Sequence, residues 1–444
     1  MLIRVPKKEV NMKSKIFLIA ICTLFLSTSI SFGYQATFTP RISVSEEYTD
    51  NYFLTDSNKE HEYITTISPG FSAQILGKNS GAEISYDPEY AMYDKYDEND
   101  TWRHSVDFSA WSEIAKNTHI EITDSFLYTE DPLIDADIAT LLTENPDAEI
   151  DSTVRRSRET YYSNSAGINL RHQFGRADSF TLGYIYSFLK NDDPELEDNE
   201  RYNPHMGLTY WFAPEWGLNM HGSYTRAEFD DSDDSDQWNG SARLIKKFTL
   251  QLEGFIQYAH TALEYDGDSE DYQVYNPSAG FSYTISNDVF FSLGMGCSFI
   301  NREESDDESV MSANGSLTKT FSRGSVNIIG SGGYEESDYG AENLGVTEFY
   351  QVGGSAAYQF TRHFSGNIFG SYRNNQYIDE DPEREDKITR VGAGLSMQVL
   401  EWMSLGLNYA YRKVDSTMDE DDYEENRGLI TITLSPSRPF RTSQ

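Results

Sequence analysis

The sequence predicts an all-β fold: a single transmembrane antiparallel up-and-down β-barrel of about 20 strands, in a range of roughly 18–22. Three observations support this fold. Long segments alternate polar with apolar residues, their connections alternate between short turns and long acidic loops, and a net charge of −37 coexists with 14% aromatic residues. Alternating segments of about ten residues are the signature of outer-membrane barrels, which have short periplasmic turns and long extracellular loops.

The strands are predicted from residue 36 onward. In the segment 402–412, Leu405, Leu407 and Tyr409 share one face, while small or polar residues occupy the other. The same alternation recurs in residues 180–188, 291–299 and 390–399. Period two indicates strand rather than helix. Strands in soluble proteins average only about five or six residues, so segments of this length favour a membrane barrel over a sandwich.

The connections determine the strand count. Nine short turns are predicted, and they include residues 77–81, 115–118, 175–179, 213–216, 286–288, 322–324, 361–363 and 400–401. Long connections are predicted at residues 49–62, 93–103, 129–158, 191–201, 230–236, 264–271, 303–308, 335–342, 379–386 and 415–425. These long connections occupy about a quarter of the chain and hold about three quarters of its 72 acidic residues. Ten long and nine short connections predict 20 strands with both ends on the periplasmic side.

Composition excludes several classes of protein. The excess of 72 acidic over 35 basic residues would repel nucleic acid, so we expect no nucleic-acid partner. After the first thirty residues, no apolar run approaches the roughly 20 residues that a spanning helix needs. The 30 Tyr and 25 Phe residues argue against disorder, because disordered chains are poor in aromatic residues.

The first 33 residues read as a cleaved secretory signal. A basic start is followed by the apolar run 16–26 and by small residues at Ser31 and Gly33. The predicted division is therefore signal peptide 1–33, barrel 34–435 and C-terminal tail 436–444. Cleavage would leave Cys297 as the single cysteine, so no intramolecular disulfide could form. This pattern fits export to the outer membrane of a Gram-negative bacterium.

Eight charged residues are candidates for lining the lumen, because they alternate with the apolar face. They are Arg171, Arg243, Arg373, Arg390, Arg412, Glu83, Asp107 and Glu253. Charged rings set selectivity in pores, but inward charges also pair with one another and brace a wall. Both interpretations stay open at this point. The longest connection, 129–158, contains a possible helical turn at 137–142 and either folds into the pore as a constriction or forms an external hairpin.

No catalytic, metal or cofactor site is predicted. The eight histidines are scattered without a recurring acidic partner, and the motifs Gly-x-Ser-x-Gly and His-Glu-x-x-His do not occur. We therefore expect no enzyme activity and no cofactor. The acidic runs 230–236 and 266–271 lack the spacing of an EF-hand. Divalent ions bridging such loops to lipopolysaccharide phosphates remain possible partners.

Several motifs resemble the putative beta-barrel porin family, whose members often accompany exopolysaccharide and exosortase gene clusters. The similar stretches are residues 48–54 (Tyr-Thr-Asp-Asn-Tyr-Phe-Leu), 67–71 (Ile-Ser-Pro-Gly-Phe), 155–158, 161–164, 203–205 and 208–210. The resemblance implies an outer-membrane porin-like barrel with a role in polysaccharide export, and it implies no catalytic residues. One feature departs from the usual pattern, because Phe440 is not the last residue, whereas barrels usually end on an aromatic residue.

The expected function is a porin-like channel for polysaccharide or small hydrophilic solutes. The alternative is an outer-membrane structural protein or adhesin that acts through its acidic loops. The expected partners are outer-membrane lipids and lipopolysaccharide, the barrel-assembly machinery, and polysaccharide with its export proteins.

Overall fold

The alternating segments form strands throughout the computed structural model, which describes residues 34–131, 158–194, 196–267, 269–303, 305–339, 342–377, 384–418 and 421–443. The predicted signal peptide 1–33 lies outside these residues. The first ten strands are β1 (Gln35–Thr49), β2 (Glu62–Leu76), β3 (Ser80–Tyr93), β4 (Thr101–Ala115), β5 (Thr118–Thr129), β6 (Tyr161–Gln173), β7 (Ser179–Asn191), β8 (Asn199–Ala213), β9 (Trp216–Phe229) and β10 (Ser235–Lys247).

Eleven further strands complete the sheet, and a single 3₁₀ turn (Asp97–Asn99) lies between β3 and β4. They are β11 (Leu252–Tyr265), β12 (Tyr272–Ser286), β13 (Val289–Arg302), β14 (Glu308–Phe321), β15 (Gly324–Tyr339), β16 (Glu342–Thr361), β17 (Phe364–Tyr377), β18 (Arg384–Leu400), β19 (Met403–Ser416), β20 (Tyr423–Leu434) and β21 (Phe440–Ser443). Among the described residues, no helix has the length and apolar character needed to cross a membrane.

The sheet closes on itself. Each strand from β1 to β20 pairs antiparallel with the next, and β20 pairs with β1 from Thr49 opposite Arg427 to Ile42 opposite Leu434. Closure satisfies the backbone groups of every strand edge, as a membrane-spanning sheet requires. The predicted fold class is therefore confirmed, including 20 strands in an up-and-down order.

The predicted C-terminal tail contains the short strand β21, which pairs with the start of β1. Between the pairs Ile42–Leu434 and Phe38–Phe440, residues 435–439 lie opposite only residues 39–41. Pro436 and Pro439 cannot donate to the ladder, which explains a bulge at this point. β21 therefore continues β20 along β1 after an interruption.

The two ends of the barrel differ as the sequence predicts. At the turn end, tight connections such as Lys116-Asn117 join strands, and Asn117 has the positive φ of 63° that two-residue hairpins favour. At the loop end lie the long acidic connections. One prediction is wrong in detail: most of residues 335–342 are strand rather than connection, because β15 and β16 extend through Tyr339 and from Glu342.

Candidate functional site

The inward face of the barrel follows from the ladder register. On β17, Arg373 and Asn375 are only 3% and 0% exposed, whereas Tyr372, which precedes Arg373, is 42% exposed. Residues directly opposite each other in a ladder share a face, so the pairings extend this assignment around all 20 strands. All eight candidate residues lie on the face that Arg373 occupies. Their role in lining a conducting path stays a prediction.

Three of the eight candidates lie exposed on the wall formed by β3 to β6. Gln74 donates a hydrogen bond of 3.2 Å to Glu83, and Ser125 donates one of 2.9 Å to Asp107. Arg171 on β6 is also exposed. These side chains face space rather than a packed interior, so this part of the lumen wall is open and polar.

Arg243 and Glu253 line one recess of about 450 Å³ in the wall, together with Phe255, Asn314 and Gln351. The guanidinium of Arg243 lies 4.4 Å from the centre of the Phe255 ring, and its Nε donates a 2.6 Å hydrogen bond to Gln257. These contacts fix the guanidinium against the wall. The structure therefore brings these two predicted residues together.

Arg373, Arg390 and Arg412 are buried on the neighbouring strands β17, β18 and β19. Arg373 donates hydrogen bonds to Asn375 (2.7 Å) and Gln351 (3.3 Å) and forms an ion pair with Glu335. Its guanidinium also lies 4.3 Å from the Phe349 ring centre. These contacts brace the wall, as one of the two sequence interpretations proposed.

The connection between β1 and β2 folds into the loop end of the lumen. Tyr52 is 0% exposed, stacks on Tyr96 at 5.1 Å, and accepts a hydrogen bond from Asn99 on its hydroxyl. Leu54 has a φ of 51°, an uncommon conformation for a bulky residue. Its side chain packs with Ile388, Val414 and Tyr423. Burial of an apolar side chain offsets this strain.

An ion network at the loop end fixes the chain that follows β5. Arg427 on β20 pairs with Glu47 on β1 at 2.7 Å and with Asp131, which follows β5. Arg103 pairs with Glu130 at 2.6 Å. The Arg427–Asp131 contact joins elements that are not neighbours in the sheet, and these ion pairs fix the chain just before residues 132–157. The predicted constriction by 129–158, with its helical turn at 137–142, falls mainly outside the described residues.

The β15–β16 hairpin also bends inward. β14 pairs with β15 only as far as Gly332, and beyond that point the hairpin leaves the wall. The Tyr334 hydroxyl then donates a 3.1 Å hydrogen bond to Thr261 on β11, and Val346 packs against Leu263, Val274, Ile300 and Val310. The hairpin therefore covers part of the lumen at the loop end.

Two family profiles match parts of this chain. Residues 335–435 match the family described as Putative beta-barrel porin 2, and residues 166–303 match the family described as Putative MetA-pathway of phenol degradation. Together, the two matches support the predicted resemblance to the putative beta-barrel porin family. None of the curated proteins matches this sequence.

Solved structures share the fold of this porin-like barrel. The siderophore receptor PirA from Pseudomonas aeruginosa has a TM-score of 0.51 at 9% identity, over 90% of this chain and 80% of its own. The FrpB iron transporter from Neisseria meningitidis (F3-3 variant) has a TM-score of 0.52 at 8% identity, over 93% and 83%. At such identities the likeness shows the fold alone, which is that of an outer-membrane barrel.

Sequence reasoning missed the inward-folded side chains of the porin-like barrel, above all Tyr52, Leu54, Tyr334 and Val346. One signal was available, because Tyr52-Phe53-Leu54 is an apolar run inside an acidic connection.

Within the described ranges, no group of three or more His, Cys, Asp or Glu side chains is placed to hold a metal ion.

The ion network predicts a pH dependence at Asp131. Burial alone would raise the pKa of this carboxyl, but the guanidinium groups of Arg427, Arg103 and Arg158 hold its pKa well below the usual range. A depressed folded-state pKa stabilises the folded protein above the unfolded pKa of about 3.9, and this stabilisation is lost as the pH falls further. Asp131→Asn is therefore expected to lower the free energy of unfolding at pH 7 by roughly 1–3 kcal/mol.

Denaturant unfolding of both proteins across pH measures this effect. The difference between the native chain and Asp131→Asn is expected to hold from pH 7 to about pH 5 and to shrink below about pH 4. Because the carboxylates elsewhere titrate in both proteins, the difference isolates Asp131. A difference that grows on acidification would contradict the assignment.

Proposed function

We propose that this outer-membrane porin-like barrel is a channel for small hydrophilic solutes or for polysaccharide. The observation that carries the proposal is the inward face: around the closed sheet it presents charged and polar side chains, some exposed and some within a recess of about 450 Å³. Barrels of 16–18 strands already enclose an aqueous channel, so a 20-stranded barrel has room for one. The family and the fold point to a channel or transporter rather than to an enzyme.

A second candidate is a structural protein or adhesin that does not conduct. It is favoured by the packing at the loop end, where Tyr52, Leu54 and Val346 are buried inside the lumen. In that case the acidic loops would carry the function, and divalent ions bridging them to lipopolysaccharide would hold them at the membrane surface.

Swelling of proteoliposomes in isosmotic solutes separates the two functions. A channel is expected to admit arabinose and glucose and to admit larger oligosaccharides progressively more slowly. Protein-free vesicles and vesicles holding heat-denatured protein are the controls. Folded protein that admits none of these solutes would favour the structural role.

A further inference from the structure

One strand lysine differs from the others in having no carboxylate beside it. In the described part of the chain six lysines lie on strands, and five of them form the pairs Lys190–Asp198, Lys247–Glu253, Lys319–Asp288, Lys387–Glu385 and Lys413–Asp415. The sixth, Lys246 on β10, forms neither an ion pair nor a side-chain hydrogen bond with any described residue. Its ammonium group lies 4.4 Å from the centre of the Trp216 ring and 5.8 Å from that of Phe248. These rings attract the charge but offer its three N–H donors no oxygen acceptor.

Lys246 lies on the outer face of the barrel, near the turn end. Successive strand residues point to opposite faces, so Lys246 points away from the lumen that Arg243 faces. In the ladders Lys246 is opposite Gly254 on β11, and Gly254 is opposite Phe281 on β12. Phe281 is 38% exposed, and Ile256 on the same face of β11 is 61% exposed. The outer face of a membrane barrel contacts lipid, so this lysine lies on a lipid-facing surface.

A groove of about 560 Å³ opens on this surface beside Lys246. Its floor lies at Gly254, which has no side chain, and Leu244, Ile256 and Phe281 are among the residues around it. The Phe248 ring reaches over the floor from the β10–β11 turn, since a Cβ atom at position 254 would lie 2.8 Å from it. Among the described residues that line the groove, Lys246 carries the only charge. The groove therefore fits a hydrocarbon chain whose polar end is anionic.

We propose that this groove binds an anionic phospholipid, with the phosphate against Lys246 and an acyl chain along the apolar side chains. At a membrane interface a lysine keeps its stem in apolar surroundings and extends its ammonium group to the headgroups, where Trp rings also lie. A zwitterionic lipid fits less well, because the cation of its own headgroup neutralises the phosphate. The inference concerns the outer wall and does not depend on conduction through the lumen.

Native mass spectrometry of the full chain in detergent tests the site by titration with dioleoylphosphatidylglycerol or dioleoylphosphatidylcholine. The native protein is expected to bind its first phosphatidylglycerol about fivefold more tightly than phosphatidylcholine, which is the effect of one lysine near an anionic lipid. Lys246→Gln is expected to remove this preference. The matched control is Lys319→Gln, which removes an outward lysine near the turn end that Asp288 already neutralises, and it is expected to keep the preference.

Gly254→Leu tests the apolar part of the site, because the new side chain fills the groove and is expected to weaken the binding of both lipids severalfold. Glycerol 3-phosphate carries the charge without acyl chains and is expected not to displace the lipid. If Lys246→Gln does not fold, Lys246→Met keeps the apolar stem and makes the same test.

Any of five results would overturn the site. They are equal affinity of the native protein for the two lipids, an unchanged preference without Lys246, an equal loss in Lys319→Gln, undiminished binding in Gly254→Leu, and displacement of the lipid by glycerol 3-phosphate. The last result would mean that Lys246 binds a free phosphate rather than a lipid.

Discussion

Shortening the β15–β16 hairpin is expected to raise the single-channel conductance roughly twofold or more, because the hairpin covers part of a wide lumen. Glu335 and Thr347 oppose each other in the ladder, so replacing residues 336–346 by Asn-Gly joins them through a two-residue turn and keeps the Glu335–Arg373 ion pair. The change removes Val346 from its apolar cluster and leaves the wall below Gly332 intact.

The control for the shortened hairpin is a second shortened connection elsewhere at the loop end. Shortening the connection 303–307, which joins β13 to β14, is expected to leave the conductance unchanged. The milder variant Val346→Asp places a charge in the apolar cluster and is expected to shift the protein towards larger conductance steps. If the shortened hairpin conducts no better than the native protein, the hairpin does not obstruct the lumen.

Removing Arg427 is expected to cause the largest loss of stability. Arg427 pairs with Glu47, which is buried, and with Asp131, whose side chain is 14% exposed, so Arg427→Ala removes the cation paired with Glu47 and one of the cations around Asp131. Breaking a buried ion pair from one side costs about 3–5 kcal/mol. Denaturant unfolding in detergent, followed by the loss of the compact form on electrophoresis, measures this change.

Lys413→Ala is the matched control for Arg427. Lys413 lies on the neighbouring strand and pairs with Asp415 at 3.1 Å, but both side chains are about half exposed. Exposed pairs contribute at most about 1 kcal/mol, so little change is expected. Similar losses of stability in Arg427→Ala and Lys413→Ala would mean that the ion network around Arg427 does not stabilise the barrel.

The strands were predictable because a membrane barrel repeats one local rule. Alternation with period two assigns each residue to a face, and this rule placed Arg243, Arg390 and Arg412 on the inward side before any contact was known. Strand number followed from the connections, since each acidic loop and each tight turn reverses the chain.

The partial covering of the lumen at the loop end could not be predicted, because it depends on contacts between distant segments. Arg427 and Asp131 are 296 residues apart, and nothing local marks them as partners. Val346 alternates like any strand residue, so the pattern cannot show that its hairpin leaves the wall. The sequence left open whether 129–158 folds into the pore or forms an external hairpin, and most of that connection lies outside the described residues. The described residues place the β15–β16 hairpin and the β1–β2 connection at the loop end of the lumen.

The claim that the inward face encloses a conducting path is tested most directly by single-channel recording of the purified protein in planar bilayers. The account predicts discrete, stable current steps from the native protein and larger steps from the protein with the shortened hairpin. Folded samples of both proteins that leave the bilayer silent would contradict it.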